Sequence, residues 1–416
     1  MSSEFCRLAR ILCFVLAFIV SDPLALGTQS ASAAMSGPLL LVDAQSGEVL
    51  FERDSTMPWH PASLTKMMTA YVAFREVRAG HITYDTLIPI THRALSVETT
   101  RSGAQWGQNI TLDGALKFML VQSANDMAIT IAEGVGGTVE NFVILMNEAS
   151  RDIGMRETHF ANPNGLYAAD QYTSARDLAL LVQKILKEFP EQHAYFAIGG
   201  IDTAVGFRGN TNGLIGRYPG ADGMKTGFIC PSGFNLVSTA ERQGRRLIAV
   251  VLGAESGVMR VMRSARLLDY GFADAKNSGK LLADLLPSSV ITPPDLRAKV
   301  CDHDLGETAM DDMPAPSIST KLGERNFASV LPVAFGPNGK TAYAPMARNI
   351  GMPDLPLSSL PIIIATGGKT RPKGTKPIMT ASINQDERDQ TEVSTFGMEP
   401  LMLTGGVRVG IPGFFQ

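Results

Sequence analysis

Three short motifs constrain the fold of this chain, because their side chains can act together only if the fold brings them together. Ser63 and Lys66 form S-x-x-K, Ser123 and Asn125 form S-x-N, and Lys225-Thr226-Gly227 forms K-T-G. One S-x-x-K alone is uninformative, since about one match is expected by chance in a chain of this length. The three together predict a fold that places one hydroxyl and two ammonium groups in a single pocket.

Length and charge limit the classes of function that are open to the chain. Its 416 residues can bury the core of one large domain and leave a smaller region. The net charge is −3, with 37 basic and 40 acidic residues, which argues against a nucleic-acid-binding stripe. The six histidines show no metal-ligand spacing, so we expect no metal and no cofactor.

The N-terminus has the pattern of a secretory signal peptide. Arg7 and Arg10 precede the apolar run 11–20, and Ala31-Ser32-Ala33 forms an A-x-A cleavage pattern. We therefore predict a signal peptide over residues 1–33 and a periplasmic protein. An uncleaved anchor helix is the alternative, although the apolar run is short for a bilayer.

Export would leave two cysteines in an oxidising compartment, Cys230 and Cys301. They could pair, but the sequence leaves open whether they lie close enough. Cys230 stands three residues after Gly227, so an activated thiol is a second possibility. We favour a packed cysteine without a chemical role.

The hydrophobic pattern predicts an α+β fold. Helix signals dominate the middle of the chain, residues 62–188, and strand signals lie on both sides of it. One five-stranded antiparallel sheet, flanked by helices and interrupted by a mainly helical insertion, accounts for this order. The predicted strands are 39–42, 48–52, 224–228, 234–240 and 246–252, and the predicted closing helix is 259–270.

The chain changes character after about residue 280. Fifteen of its 24 prolines lie from Pro287 onward. We predict a catalytic domain over 34–280 and a C-terminal extension over 281–416 that is a small β module or partly disordered.

Ser63 and Lys66 suit nucleophilic catalysis. Pro61 can begin a helix, which would place Ser63 in the first turn, where the helix dipole favours developing negative charge. Lys66 would share the face of Ser63 and could take its proton if burial and the second cation, Lys225, keep the Lys66 amine neutral. The alternative is an exposed Ser and Lys without a role.

The other two motifs could complete such a site. Ser123 could relay a proton and Asn125 could hold Lys66 and a substrate carbonyl, although either could instead cap a helix over 126–132. Lys225 and Thr226 could bind a substrate carboxylate, and Gly227 would let a substrate backbone approach. The backbone N–H groups of Ser63 and Phe228 would be the oxyanion donors.

With these motifs, the chain resembles the low-molecular-mass penicillin-binding proteins, specifically the serine D-alanyl-D-alanine carboxypeptidases, over about residues 39–272. The resemblance implies a penicillin-binding/β-lactamase-like transpeptidase fold and an arginine, Arg260, at the substrate's terminal carboxylate. It rests on the segments 61–69, 122–126, 162–166, 222–227 and 250–254.

The family implies a reaction and partners. Ser63 would attack the bond between the two terminal D-alanines of a peptidoglycan stem peptide, with Lys66 as base, alone or with Ser123. β-Lactams would acylate Ser63 as substrate mimics. Two departures are Thr211, where some members carry a basic residue, and residues 405–416, which lack the stripe of a membrane-bound terminal helix. Peripheral attachment to the inner membrane is therefore left open.

Three alternatives remain at this point. A D,D-endopeptidase acting on cross-links would use the same residues. A β-lactamase is disfavoured because Glu157 to Asn162 does not fit the E-x-x-L-N spacing of the deacylating loop. A non-catalytic wall-binding protein could keep the fold, but the presence of every motif side chain argues against it.

Overall fold

A computed structural model describes residues 37–203, 206–273, 275, 278–302 and 330–332. These residues all belong to one compact unit within residues 1–367. The predicted signal peptide and most of the predicted extension lie outside the described residues. The boundaries of the three predicted regions therefore stay predictions.

One antiparallel sheet of five strands organises the catalytic region, in the order β2-β1-β9-β8-β7. The fold class predicted from the sequence is therefore confirmed. Neighbouring strands pair antiparallel throughout, and β7 lies at one edge. The five strands are β1 (Leu39–Asp43), β2 (Val49–Arg53), β7 (Ala221–Ile229), β8 (Gly233–Arg242) and β9 (Arg245–Ala254).

The helices lie on both faces of this sheet. Successive side chains along each strand point to opposite faces, so neighbouring residues pack against different helices. In β9, Ile248 and Val250 point to the large helical layer, whereas Leu247 and Val251 point to α8. The sheet thus separates two cores. The helices are α1 (Lys66–Arg78), α2 (His92–Leu95), α3 (Leu112–Val121), α4 (Asn125–Gly136), α5 (Val139–Ile153), α6 (Ala175–Glu188), α7 (Ala194–Ala197), α8 (Gly257–Ala273) and α9 (Arg297–Val300).

Side-chain caps fix where several of these helices begin. The hydroxyls of Thr111, Thr138 and Ser174 each accept a hydrogen bond from the backbone N–H three residues later. The capping alternative for Ser123 and Asn125 is wrong, because α4 begins after Ala124 without a side-chain cap. Those two side chains are therefore available for other contacts.

Two small sheets were not predicted. A hairpin of three-residue strands, β3 (Leu87–Pro89) and β4 (Asn109–Thr111), lies within the helical region. A second sheet joins β5 (Gly200–Thr203), β6 (Gly206–Gly209) and β10 (Val330–Pro332). Strands of three or four residues are too short to show a clear alternation in the sequence.

The segment after α8 packs back onto the catalytic region. Leu282, Leu285 and Leu296 are buried in the helical core, and Cys230 and Cys301 form a disulfide bond. The pairing that the sequence left open is thus present, and Cys230 is not a free thiol.

Within the described residues, no single helix has the length and apolar character to cross a membrane; α4 with α5, bent by 86°, meets that criterion only as a pair. The same residues contain no group of three His, Cys, Asp or Glu side chains placed to hold a metal ion.

Candidate active site

Ser63 lies in a 3-10 turn, Ala62–Thr65, which leads directly into α1. Ala62 has φ of +48°, a backbone conformation that is costly for a residue with a side chain. Two glycines hold the turn in place. A Cβ on Gly165 would collide with the carbonyl oxygen of Ala62, and a Cβ on Gly227 would lie 3.0 Å from the backbone nitrogen of Ser63. The backbone at Gly165 and the backbone at Gly227 therefore lie against the backbone of the turn, one beside Ala62 and the other beside Ser63.

Lys66 is fully buried and reaches Ser63 directly. Its Nζ donates to Ser63 Oγ at 2.8 Å and to Asn125 Oδ1 at 2.7 Å. A third hydrogen bond goes to the backbone carbonyl of Asn164. These contacts fix the amine beside the hydroxyl, as general-base catalysis requires.

The electrostatic surroundings lower the pKa values of both lysines. Burial, and next the charge of Lys225, lower the pKa of Lys66 well below its usual value, while Asp126 opposes that shift. Burial and then the charge of Arg260 lower the pKa of Lys225 to about 7. A lysine whose amine is readily neutral can accept a proton from serine.

The second motif lies at the junction of α3 and α4. The Asn125 amide nitrogen donates to the carbonyl of Glu98 and to the hydroxyl of Thr99, both at 3.2 Å, which turns its oxygen toward Lys66. Ser123 is buried and has φ of +66°, the conformation with which the chain turns into α4. The next residue after Asn125, Asp126, is a buried carboxylate that accepts hydrogen bonds from Ser102.

The third motif lies on β7. Lys225 is buried and donates to the carbonyl of Thr226 at 2.9 Å. The Thr226 hydroxyl donates to the hydroxyl of Thr211 at 2.8 Å. Thr211, which departs from the family pattern, is therefore a direct neighbour of the K-T-G motif and presents a hydroxyl there instead of a positive charge.

Arg260 reaches the same strand from α8. Its guanidinium donates to the carbonyl of Gly227 at 3.3 Å and lies 5.6 Å from the ring centre of Phe234. Phe228 stacks on Phe234 at 4.1 Å and is 42% exposed. Burial lowers the pKa of Arg260 to about 10, so the side chain remains a cation at neutral pH.

The structure thus brings Ser63, Lys66 and Asn125 into direct contact and places Lys225 close enough to affect Lys66. The roles assigned to these residues, and those of Ser123, Thr226, Gly227, Phe228 and Arg260, stay predictions. Sequence reasoning missed the Asn164 carbonyl and Asp126. The N-P-N-G segment around Asn164 was visible in the sequence, but a contact made by its backbone leaves no trace in side-chain identity.

A hydroxyl beside a buried amine of low pKa, on a turn braced by an edge strand, defines the class of proteins that act through a serine nucleophile. Residues 26–256, more than half of the chain, match the profile of the family described as D-alanyl-D-alanine carboxypeptidase. The chain belongs to this family, and the resemblance drawn from its motifs is confirmed.

Individual relatives agree with this assignment. D-alanyl-D-alanine carboxypeptidase DacA of Escherichia coli is 33% identical over 245 residues, which are 56% of this chain and 60% of the relative. Penicillin binding protein 5 of Haemophilus influenzae, a solved structure, is 31% identical with a TM-score of 0.55, covering 57% of this chain and 70% of that one.

A third relative was solved with a β-lactam. Penicillin-Binding Protein D2 of Listeria monocytogenes, in its ampicillin-bound form, is 27% identical with a TM-score of 0.53, over 57% of this chain and 97% of that one. The chain spans about three fifths of the length of the first curated relatives that it matches.

Proposed function

We propose that the protein is a serine D-alanyl-D-alanine carboxypeptidase that removes the terminal D-alanine from peptidoglycan stem peptides. One observation carries the proposal: the Nζ of Lys66 lies 2.8 Å from Ser63 Oγ in surroundings that lower its pKa well below the usual value. Family membership and the names of the relatives support the substrate class.

In the proposed mechanism, neutral Lys66 takes the proton of Ser63 as the oxygen attacks the carbonyl between the two D-alanines. The backbone N–H groups of Ser63 and Phe228 stabilise the oxyanion. The proton passes to the leaving amine from Lys66, alone or through Ser123. Water then attacks the acyl-enzyme, and the shortened peptide leaves.

Substrate binding uses the β7 side of the cleft. Lys225, Thr226 and Arg260 hold the terminal carboxylate of the peptide by charge and hydrogen bonding. The Asn125 amide keeps Lys66 in place through the bond to its Nζ. Gly227 leaves room for a peptide backbone next to Ser63.

We further propose that the protein acts in the periplasm, peripherally attached to the inner membrane or free of it, and that β-lactams acylate Ser63. The Cys230–Cys301 disulfide supports an oxidising compartment, because such bonds rarely persist in the cytosol. The ampicillin-bound relative supports the inhibitor class.

The test is mass spectrometry of a penicillin adduct together with a D-alanine release assay. We expect one adduct per chain, on the peptide that contains Ser63, and release of D-alanine from a soluble peptide that ends in two D-alanines. Ser63→Ala should abolish both signals and keep the fold, whereas Ser96→Ala, at an exposed position, should keep both. A normal adduct on Ser63→Ala would remove Ser63 from the mechanism.

A further inference from the structure

Residues 98–102, here called the clasp, lie against the start of α4 and orient the side chain of Asn125. The amide nitrogen of Asn125 donates to the carbonyl of Glu98 and to the hydroxyl of Thr99, both at 3.2 Å. A side-chain amide nitrogen has two hydrogens, so the clasp uses both of them. The amide oxygen is thereby left for Lys66, whose Nζ donates to it at 2.7 Å.

Asp126, the next residue of α4, fastens the end of the clasp. Its carboxylate is fully buried and accepts hydrogen bonds from the backbone N–H and from the hydroxyl of Ser102. The backbone N–H of Met127 donates to the same carboxylate at 3.0 Å. Between the two ends, the backbone N–H of Asn125 donates to the carbonyl of Thr100 at 2.8 Å. The clasp is therefore held on α4 at both ends and in the middle.

The clasp depends on these bonds for its position. Ser102 is buried, whereas the other four residues of the clasp are exposed, and Thr99 has φ of +56°, which is costly for a β-branched residue. The amide of Asn125 is nearly symmetric in shape, so its hydrogen-bond partners decide whether oxygen or nitrogen faces Lys66. Without the clasp the amide could turn its N–H groups toward Lys66, and a charged ammonium cannot accept them.

The charge of Asp126 also reaches Lys66. Burial is the largest cause of the lowered pKa of Lys66; the charge of Lys225 on β7 lowers that pKa further, and the charge of Asp126 on α4 raises it. The charged side chains of the clasp, Glu98 and Arg101, are exposed to solvent. The hydrogen-bond donors to the Asp126 carboxylate are neutral groups, so these contacts do not cancel its charge.

We propose that Asp126 is a positioning residue for the reaction at Ser63. Through Ser102 it keeps the clasp on Asn125, and the clasp keeps the Asn125 oxygen on Lys66. Asp126 does not touch the reacting atoms, so it acts through these neighbours and through its charge. This inference rests on the proposed function, because it assigns a role in the same reaction.

The experiment measures kcat and KM for D-alanine release across pH in two variants of Asp126. Asp126→Ala removes both the acceptors and the charge, and we expect kcat to fall by about a hundredfold with little change in KM. Asp126→Asn keeps one oxygen for the backbone N–H of Ser102 and should recover kcat to within about tenfold of the wild type. The loss of charge should still move the acid limb of the kcat/KM profile about one pH unit lower, because protonated Lys66 loses a favourable neighbour.

Ser102→Ala separates the contact from the charge. It removes the hydroxyl that donates to Asp126 and keeps the carboxylate, so kcat should fall by about tenfold while the acid limb stays in place. The matched control is Asp177→Asn, which should keep both kcat and the acid limb of the wild type. Asp177 is also a fully buried carboxylate in the first turn of a helix, α6, and it accepts hydrogen bonds from the backbone N–H of Glu157 and the hydroxyl of Thr158.

Urea unfolding of each variant distinguishes a loss of positioning from a loss of folding. If Asp126→Ala does not fold, Asp126→Asn and Ser102→Ala decide the question. Wild-type kcat in folded Asp126→Ala or Ser102→Ala, an acid limb that stays in place in Asp126→Asn, or the same shift in Asp177→Asn would each overturn the positioning role and leave the proposed function standing.

A different result would contradict the proposed function itself. If the wild-type protein released no D-alanine, the proposed function would be wrong. Rates of penicillin acylation of Ser63 in the same variants would then test Asp126, because acylation needs the same contact between Ser63 and Lys66. Equal acylation rates in the wild type and in folded Asp126→Ala would overturn the positioning role, and a loss of about a hundredfold would support it.

Discussion

Lys66 and Lys225 are two buried amines whose pKa values are lowered first by burial. The charge of Lys225 lowers the pKa of Lys66 further, and the charge of Arg260 lowers that of Lys225. Three oxygen atoms surround the Nζ of Lys66. A charged Lys66 can donate to all three, and a neutral Lys66 can donate to Asn125 and Asn164 and accept a hydrogen bond from the Ser63 hydroxyl. The Nζ of Lys225 donates a hydrogen bond to the carbonyl of Thr226. At the scale of single residues, the proposed mechanism needs Lys66 neutral, to accept a proton, and Lys225 charged, to bind an anion.

The two pKa shifts predict a bell-shaped pH dependence of kcat/KM. In the proposed mechanism Lys66 acts as a neutral base, so activity should rise with pH through the lowered pKa of Lys66. Lys225 acts there as a cation, so activity should fall as pH rises through its pKa of about 7. Initial rates of D-alanine release across pH test this profile.

Lys225→Arg distinguishes this explanation from a general loss of folding at high pH. Arginine keeps its charge over the accessible range, so the alkaline limb should move upward by more than one pH unit. Lys187→Arg, at an exposed position of α6, is the control and should leave the profile unchanged. An alkaline limb that stays in place in Lys225→Arg would exclude Lys225 as its cause.

Lys225→Met should stabilise the protein while it removes activity. Among the described residues, no carboxylate contributes to the electrostatics of Lys225. Burying an unpaired cation is costly, so its replacement by an apolar side chain of similar length should raise the free energy of unfolding by about 1–3 kcal/mol at pH 7. Urea unfolding measures this difference, with Lys187→Met as the exposed control.

The pH dependence of that gain has a definite sign. Below about pH 7, Lys225 is charged in both the folded and the unfolded chain, so the cost of burying the charge is fully present. Above the usual value of 10.5 it is neutral in both, and the cost is absent. The gain should therefore shrink between pH 7 and pH 10, and a gain that grows over this range would refute the explanation.

At the scale of elements, the turn that carries Ser63 depends on its contact with β7. A Cβ on Gly227 would lie 2.9 Å from the carbonyl oxygen of Pro61 and 3.0 Å from the nitrogen of Ser63. Gly227→Ala should push strand and turn apart and lower kcat/KM by about a hundredfold, since small displacements of a nucleophile are costly.

The control for this substitution is Gly257→Ala at the start of α8, where a Cβ would meet only Phe234, at 3.9 Å. That variant should keep wild-type rates. Rates of penicillin acylation and of D-alanine release measure both. Wild-type rates in Gly227→Ala would show that the contact is not needed.

Elements with strong local signals could be predicted from the sequence. Thr138 and Ser174 each precede a helical run in the sequence, as N-cap residues typically do, and they cap α5 and α6. The five main strands lie within a few residues of their predicted positions. The 3-10 geometry around Ser63 could not be predicted, because Gly165 and Gly227, which meet there, are distant in sequence and only the folded chain brings them together.

At the scale of the whole molecule, the Cys230–Cys301 disulfide closes a loop of 71 residues. Such a bond restricts the unfolded chain, so Cys230→Ser with Cys301→Ser should lower the free energy of unfolding by about 2–4 kcal/mol. Denaturant unfolding of the exported protein measures the loss. Wild-type protein under reducing conditions should show the same loss, and equal stability with and without the bond would contradict the prediction.

The prediction of the site from the sequence also lacked the contacts between residues that are distant along the chain. The three motifs indicated Ser63, Lys66 and Asn125, which do meet. Thr211 was noted only as a departure, and its hydrogen bond to Thr226 depends on a loop whose path no local pattern fixes. Side-chain chemistry was therefore visible in the sequence, whereas backbone partners and the return of residues 281–302 to the core were not.

Strand β1 pairs with the central strand β9, so residues 39–43 pair with residues 247–251, at the opposite end of the catalytic region. A ribosome must make about 200 further residues before the hairpin of β1 and β2 can join its sheet. Contacts of such sequence separation slow folding. During synthesis the chain therefore remains without a complete core, and so unfolded, until the residues of β9 have been made.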